Sequence, residues 1–322
     1  PKDATNLALL LLCGVYGLKD APALWSAELF RTCTEEMNCT QSVFDEATFY
    51  RRRRDTTNTL ESLHAEVSEL TLMATVHVDD IAVTGEPHEI ASFIAWLQKR
   101  FGKDKPLKVQ DENFKHVGEN YEQDEDGTVS LHNWDYIEEL KEVDIPARLD
   151  DTMEADGVST LRSINGAIAY GCLGQPHLYG ATAISASHVA KDADGKNQTY
   201  EALDYANQIV RAAKEGNRQR KLRYRRLMPG VPPTTGKCTG LKLVLLTDSA
   251  FGNLGDKASQ GGWIVLLMAV DPNGFFTGFC HVLDAGSKRS VRVAKSTWGA
   301  ELLAATQGLE RVEYIAMWFR EI

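Results

Sequence analysis

Apolar positions along this chain change period several times, and each change predicts an element. Ala21, Trp25, Leu29 and Cys33 fall four apart around Pro22, so residues 16–36 read as a turn followed by a helix. Residues 40–68 are polar and give no clear period. Residues 70–77 and 81–84 are apolar and rich in small and β-branched side chains, the pattern of two hairpin strands. Ile90, Phe93, Ile94, Leu97 and Phe101 line one face of a helix over 88–101. Short strands are expected within 107–131. Residues 133–157 are acidic, contain Pro146, and read as a connector with one helical turn or two. From 159 to 226 the pattern is helical. Leu161, Ile164, Ile168 and Cys172 share a face, a second helix follows "QPHLYGATAISAS", and a third starts near Tyr200 with Leu203, Ile209 and Val210. Beyond "MPGVPPTTGKCTG" come three strand-like runs, "LKLVLLTD", "GGWIVLLM" and "FTGFCHVL", and then a helix over 297–318.

These elements make the chain α+β. At 322 residues it is long enough for two or three cores. The Pro/Gly/Thr-rich stretch 228–240 is its clearest boundary. That stretch is no phosphate-binding loop: five residues separate Gly230 from Gly236, Cys238 replaces the Ser or Thr, and a strand follows. No run approaches about 18 apolar residues, so no membrane partner is expected. The short apolar run 7–15 reads as a buried strand, because no small-residue cleavage site follows it. Six cysteines without a CxxC pair read as free thiols in a reducing, intracellular compartment.

Charge is uneven. The net charge of −10 excludes a uniformly basic coat. Residues 119–156 hold fourteen acids against Lys141 and Arg148, whereas residues 211–226 hold eight bases against Glu215. Residues 51–54 form a second basic run. Each run has an ordinary reading as a solvated face. The stretch "RQRKLRYRRL", with Tyr224 and two leucines between its charges, reads more readily as a nucleic-acid contact through Arg218, Arg220, Lys221, Arg223, Arg225 and Arg226.

The chemistry centres on "ATVHVDDIAVTG", residues 74–85. Asp79 and Asp80 are either a polar hairpin tip or a metal-holding pair. Adjacent ionised carboxylates repel, and a shared divalent cation removes the repulsion. Mg²⁺ takes oxygen ligands and commonly uses one or two carboxylates with substrate phosphates.

The motif x-V-D-D-I-x-V-T-G resembles the catalytic hairpin of copia-type retrotransposon reverse transcriptases, with His77 where that family usually has Tyr. Upstream, "VYGLKDAPALW" is similar to the family's "LYGLKQAPRAW"; Tyr16, Gly17, Leu18, Lys19, Ala21, Pro22 and Trp25 match, while Asp20 replaces Gln and Ala23 replaces Arg. Downstream, "FKHVGENY", "YIEEL" and "LRSINGAIAYGCLGQPHLYGATAISAS" resemble later family segments in order and rough spacing. "LLTDSAFGNLGDKASQGGWIVLL" and "SKRSVRVAKSTWGAELLAA" resemble the opening of the family's ribonuclease H domain. There Asp248 and Glu301 match its first two metal-binding acids, and Gly299 replaces the first Glu of the family's "EAE".

The resemblance implies a Pol polyprotein fragment. Its fold would be a partial reverse-transcriptase palm over 1–132, a connector and helical thumb-like region over 133–227, a linker over 228–240, and the N-terminal half of a ribonuclease H-like α/β fold over 241–322. It implies RNA-directed DNA synthesis and hybrid cleavage by two-metal phosphoryl transfer. Asp79, Asp80, Asp248 and Glu301 would be the catalytic, metal-holding acids, for Mg²⁺ or Mn²⁺. Lys19 would touch the triphosphate or the template backbone, with a plain surface lysine as the alternative. Lys288 and Arg289, with Arg292 and Lys295, would lie beside the second site. The partners would be an RNA template, a DNA primer, a dNTP, an RNA–DNA hybrid and the rest of the polyprotein. The location would be cytoplasmic, nuclear or within a virus-like particle. The family's third palm Asp lies well upstream of the "YGLK" segment, and its later ribonuclease H acids follow the first helix. Each site here is therefore expected to hold only part of its ligands, and the chain to be weak or inactive. The alternative is a non-catalytic nucleic-acid-binding remnant. Trp263 and Trp298 read as core, and Trp25 as a packing anchor.

Overall fold

The apolar periods become seven helices and three antiparallel sheets among the described residues, a mixed α+β architecture. The computed structural model describes residues 19–53, 69–103, 105–146, 148–190, 195–227, 240–254, 257–271 and 273–322. The run 7–15, Arg54 and most of the 228–240 stretch lie outside them. The described residues group into two compact units. One runs up to Val109 and includes Met317–Ile322; the other is Gln110–Ala316.

In the first unit, α1 (Ala21–Arg31) has Pro22 in its first turn and continues as a π-helical turn over Thr32–Glu36. The four-residue spacing noted above puts Leu29 and Cys33 fully inside. The polar stretch without a period holds β1 (Thr40–Gln41) and β2 (Thr48–Arg53). With β3 (Glu69–His77) and β4 (Asp80–Gly85) they form a sheet in the order β1-β2-β3-β4. Helix α2 (Pro87–Phe101) buries Phe93 and Leu97 against Phe49, Leu72 and Ala74 of the sheet. Burying such side chains stabilises by about 1.5–3 kcal/mol each. The basic run of β2 is largely occupied. Arg51 pairs with Glu89, Arg53 with Glu86 and Glu69, and Arg52 donates to the Glu321 carbonyl at 2.6 Å.

The second unit contains two sheets and a helical core. Strands β5 (Asn113–His116), β6 (Glu119–Gln123) and β7 (Val129–His132) form a meander. Its fourth strand is β8 (Leu222–Tyr224), which pairs antiparallel with β7. The expected helical run to residue 226 is therefore corrected: it ends with α6, and the basic stretch is a short turn and an edge strand. Helices α3 (Trp134–Glu139), α4 (Ala155–Gly171), α5 (Tyr179–Ser187) and α6 (Glu201–Lys214) share a core around Leu161, Ile168, Leu203 and Val210. Helix α5 lies inside "QPHLYGATAISAS" rather than after it.

The third sheet has the order β11-β10-β9, built from β9 (Gly240–Ala250), β10 (Gln260–Val270) and β11 (Phe276–Arg289). Helix α7 (Thr297–Glu321) starts at Ser296, whose hydroxyl accepts from the Gly299 amide at 3.1 Å, an N-cap contact. It lies on the sheet through a stripe of small buried residues, Ala300, Ala304 and Gly308. A Cβ on Gly308 would stand 2.7 Å from Leu245 Cδ1 and 3.0 Å from Thr247 Cγ2, so glycine sets how closely helix and strand approach.

One carboxyl in the second unit is placed against its solvation. Burial pushes the Glu119 carboxyl up to about 6, with Lys115 opposing, and its Oε2 is buried without a hydrogen-bond partner. A folded pKa raised above the unfolded value gives stability present below about pH 4.5 and lost as pH rises through about 6. Glu119→Gln is expected to leave stability at pH 4 nearly unchanged and to raise it at pH 8 by about 1–2 kcal/mol. Urea unfolding at both pH values checks this; an equal effect at both means Glu119 is not charged at a cost.

Candidate functional site

The hairpin tip is a two-residue turn. Val76 faces Ile81 and His77 faces Asp80 in the register, leaving Val78 and Asp79 as the central pair. Asp80 is thus the first residue of β4 rather than part of the turn. Val78 has φ +57° and Asp79 has no positive φ, the pattern of a II′ turn, which favours Gly at its first central position. A β-branched residue there is a strained choice, of order 1–3 kcal/mol. Something must hold it. The Trp25 indole donates to the Val78 carbonyl at 2.6 Å, and its ring meets Phe101 edge-on at 5.1 Å. Trp25 is a packing anchor, as its sequence context implied, and it also fastens the turn.

Two stretches far apart in sequence therefore meet at one atom pair: the "YGLKDAPALW" segment supplies the donor, and the aspartate turn supplies the acceptor. Asp79 and Asp80 are exposed, as are Lys19 and Asp20 just before α1. Their carboxylate oxygens suit a hard divalent cation completed by water or phosphate oxygens. Among the described residues, no group of three or more His, Cys, Asp or Glu side chains is arranged to hold a metal ion.

The second pair of acids sits on the third sheet. Asp248 lies opposite Gly262 near the end of β9 and is exposed. Thr247 packs toward α7, so by strand alternation Asp248 points from the other face. Glu301 is half-buried in the second turn of α7. Comparison with known protein families, curated proteins and solved structures finds no match. The functional reading of both acid pairs rests on the residues themselves.

The basic stretch before the linker is tied to the acidic one. Arg218 pairs with Glu138 at 2.6 Å and Asp135 at 3.1 Å, Lys221 with Glu122 at 3.3 Å, and Arg223 with Asp124 at 3.2 Å. Arg220 contacts His177 Nε2 at 3.0 Å and the Ala212 carbonyl at 3.1 Å. Arg225 lies over the Phe279 ring, and Arg226 is exposed. Trp134 organises this face: it donates to the Arg220 carbonyl at 2.6 Å, and Arg218 and Lys221 sit over its ring. Much of the positive charge is thus neutralised within the fold, which lowers what β8 offers to a phosphate backbone.

Lys288 and Arg289 end β11 and are exposed, with Arg292 and Lys295 following in the loop to α7. Trp263 is half-buried beneath α7, in line with a core role. Trp298 is not core: it is 75% exposed in the first turn of α7. Its sequence context carried a signal, since Lys295 precedes it by three residues and Glu301 follows by three, leaving few apolar neighbours on its helix face.

The described residues contain no helix long and apolar enough to cross a membrane. Cys33, Cys39 and Cys172 are free and buried, and Cys280 is free and exposed. Burial pushes the Cys33 thiol up to about 12 and Cys172 to about 11, so both are held as neutral packing groups.

Proposed function

We propose that the chain is part of a copia-type Pol polyprotein: a reverse-transcriptase palm with a helical thumb-like region, followed by the N-terminal half of a ribonuclease H-like fold. The observation that carries this reading is the Trp25–Val78 hydrogen bond. Two motifs that resemble the family separately are joined in space, and the join holds the strained turn that presents the paired aspartates. Support for the second part is the order of three antiparallel strands followed by a helix, with Asp248 on the first strand and Glu301 on the helix.

In this reading Asp79 and Asp80 hold Mg²⁺ or Mn²⁺ beside a primer 3′-hydroxyl and a dNTP. When bound, the ion supplies charge neutralisation at the phosphates. Lys19 attracts the triphosphate or template backbone, and the adjacent Asp20 opposes it. Asp248 faces away from α7, which carries Glu301, so the two acids do not converge on one ion and cleavage of an RNA–DNA hybrid by this chain is expected to be absent. Among the described residues no third acid joins the two at the hairpin tip, and two alone give weak metal binding, so the expected activity is slight.

The test pairs two measurements. Mn²⁺ titration followed by paramagnetic broadening is expected to show weak binding that Asp79→Ala removes. Primer extension on an RNA template with Mg²⁺ or Mn²⁺ is expected to be faint at most. Strong extension abolished by Asp79→Ala would refute the claim of slight activity. Mn²⁺ binding indifferent to Asp79→Ala and Asp248→Ala, alongside salt-dependent nucleic-acid binding, favours the second reading. That reading is a non-catalytic nucleic-acid-binding remnant, and the lack of a three-acid group among the described residues supports it.

A further inference from the structure

We propose that the loop between β11 and α7 binds unpaired nucleotides, with Trp298 as the stacking surface for a base and the surrounding cations as contacts for the phosphates. The proposal rests on the reading that this chain handles nucleic acid, and adds which form of it this surface takes.

Three observations converge. Residues 287–300 contain Lys288, Arg289, Arg292 and Lys295 and no acid, in a chain whose net charge is −10. All four cations are exposed. Trp298 follows them three residues after Lys295, at 75% exposure, and Val291 and Val293 in the same segment are 90% and 62% exposed. A large indole left in water beside cations has a matching occupant in a polyanion that also carries flat apolar rings.

The surface is held in place. The buried Ser290 joins the loop to the sheet, its amide donating to the Ser259 carbonyl at 2.8 Å and its hydroxyl to the Arg292 carbonyl at 2.7 Å. Ser296 caps α7 through Gly299, which fixes the backbone on both sides of Trp298. A platform held this way loses little freedom when a base stacks on it. Bases inside a duplex are already stacked on their neighbours, so an indole engages those that are unpaired or splayed out. The choice of single strand over duplex follows from that geometry, and the cations add affinity without sequence preference.

The experiment is fluorescence anisotropy of the full chain with a labelled oligothymidylate and, separately, a blunt RNA–DNA hybrid, across a salt series. Trp298→Ala is expected to weaken oligothymidylate binding by about 5- to 100-fold, the range for losing one stacked base. Trp298→Phe is expected to keep most of the affinity, which separates stacking from any loss of folding. Arg292→Gln and Lys295→Gln are each expected to flatten the logarithmic salt slope by about 0.7. An unchanged affinity in Trp298→Ala overturns the proposal while leaving the wider reading intact. So does a hybrid that loses as much affinity as the single strand. Binding of neither ligand at low salt overturns both.

Discussion

Gly85→Ala is expected to destabilise the first unit by about 3–5 kcal/mol, although Gly85 is exposed. The reason lies in the backbone. Gly85 has φ +150°, where an L side chain is strained. A Cβ there would stand 2.3 Å from the Thr71 carbonyl oxygen and 2.8 Å from Leu72 Cα. Neither can rotate away. That carbonyl also accepts the Glu86 amide at 2.9 Å, the bond that turns the chain from β4 into α2. Strain and overpacking each cost about 1–3 kcal/mol, and the lost hydrogen bond about 0.5–1.5. Because α2 carries Phe93 and Leu97 into the core, the displacement spreads from the turn to the packing. Thermal melting is expected to drop on the order of 10–20 °C. Thr84→Ala, the exposed neighbour, is expected to stay within about 0.5 kcal/mol. Equal melting of the two variants would show that the chain accommodates a side chain at Gly85 and that the close approach is not rigid.

The same residue shows what was legible in the sequence. Gly85 closes the "VDDIAVTG" stretch, and the apolar, β-branched runs on either side of the aspartates located both strands to within a residue or so. Helix α2 and the strand–strand–strand–helix order at the end of the chain were equally legible, because their apolar positions are local and regular. The basic stretch near residue 220 was not. Its leucines and tyrosine are compatible with a helical period, but a partner strand nearly a hundred residues earlier captures Leu222–Tyr224. The acidic and basic runs were each visible, yet their pairing across β6, β7 and β8 is a tertiary fact that charge counting along one dimension does not contain. For the site, the resemblance named Asp79 and Asp80, but the strained Val78 and the indole that fastens it emerge only when the turn type and the position of Trp25 are known together.

Trp298 and Trp263 make the same point in opposite directions. Both read as core from the sequence, although only Trp263 lies in an apolar run. The difference is which side of α7 each meets. Trp263 stands on the sheet face that α7 covers, whereas Trp298 leaves the first turn of α7 toward solvent. A stripe of alanines and glycine lets α7 approach the sheet closely, so the larger apolar side chains of the helix, such as Leu302 and Leu309, are left on its outer side.

Gly286→Ala is expected to be the most damaging single methyl group in the third sheet, at about 3 kcal/mol. Trp263 and Gly286 face each other directly across β10 and β11. The indole occupies the space a side chain would take: a Cβ at Gly286 would lie 2.3 Å from Cζ2, 2.7 Å from Cε2 and 2.8 Å from Cη2 of that ring. The ring cannot simply slide, because its Nε1 donates to Asp284 Oδ2 at 2.8 Å, and the same oxygen accepts Arg311 Nε of α7 at 3.1 Å. The bond to Asp284 also holds the Arg311 guanidinium above its ordinary pKa. Expelling the indole therefore breaks a hydrogen bond to a charged acceptor, worth about 1.5–3 kcal/mol, and adds the overpacking cost of about 1–3. The expected signature is specific: lower urea stability together with a shift of tryptophan emission toward that of exposed indole. Trp263→Phe in the same background should recover part of the loss, since a smaller ring without the N–H leaves room for the methyl group. Failure of that second change to restore any stability would mean the clash at Gly286 is not with the indole, and that the close packing of β10 on β11 is maintained by something else.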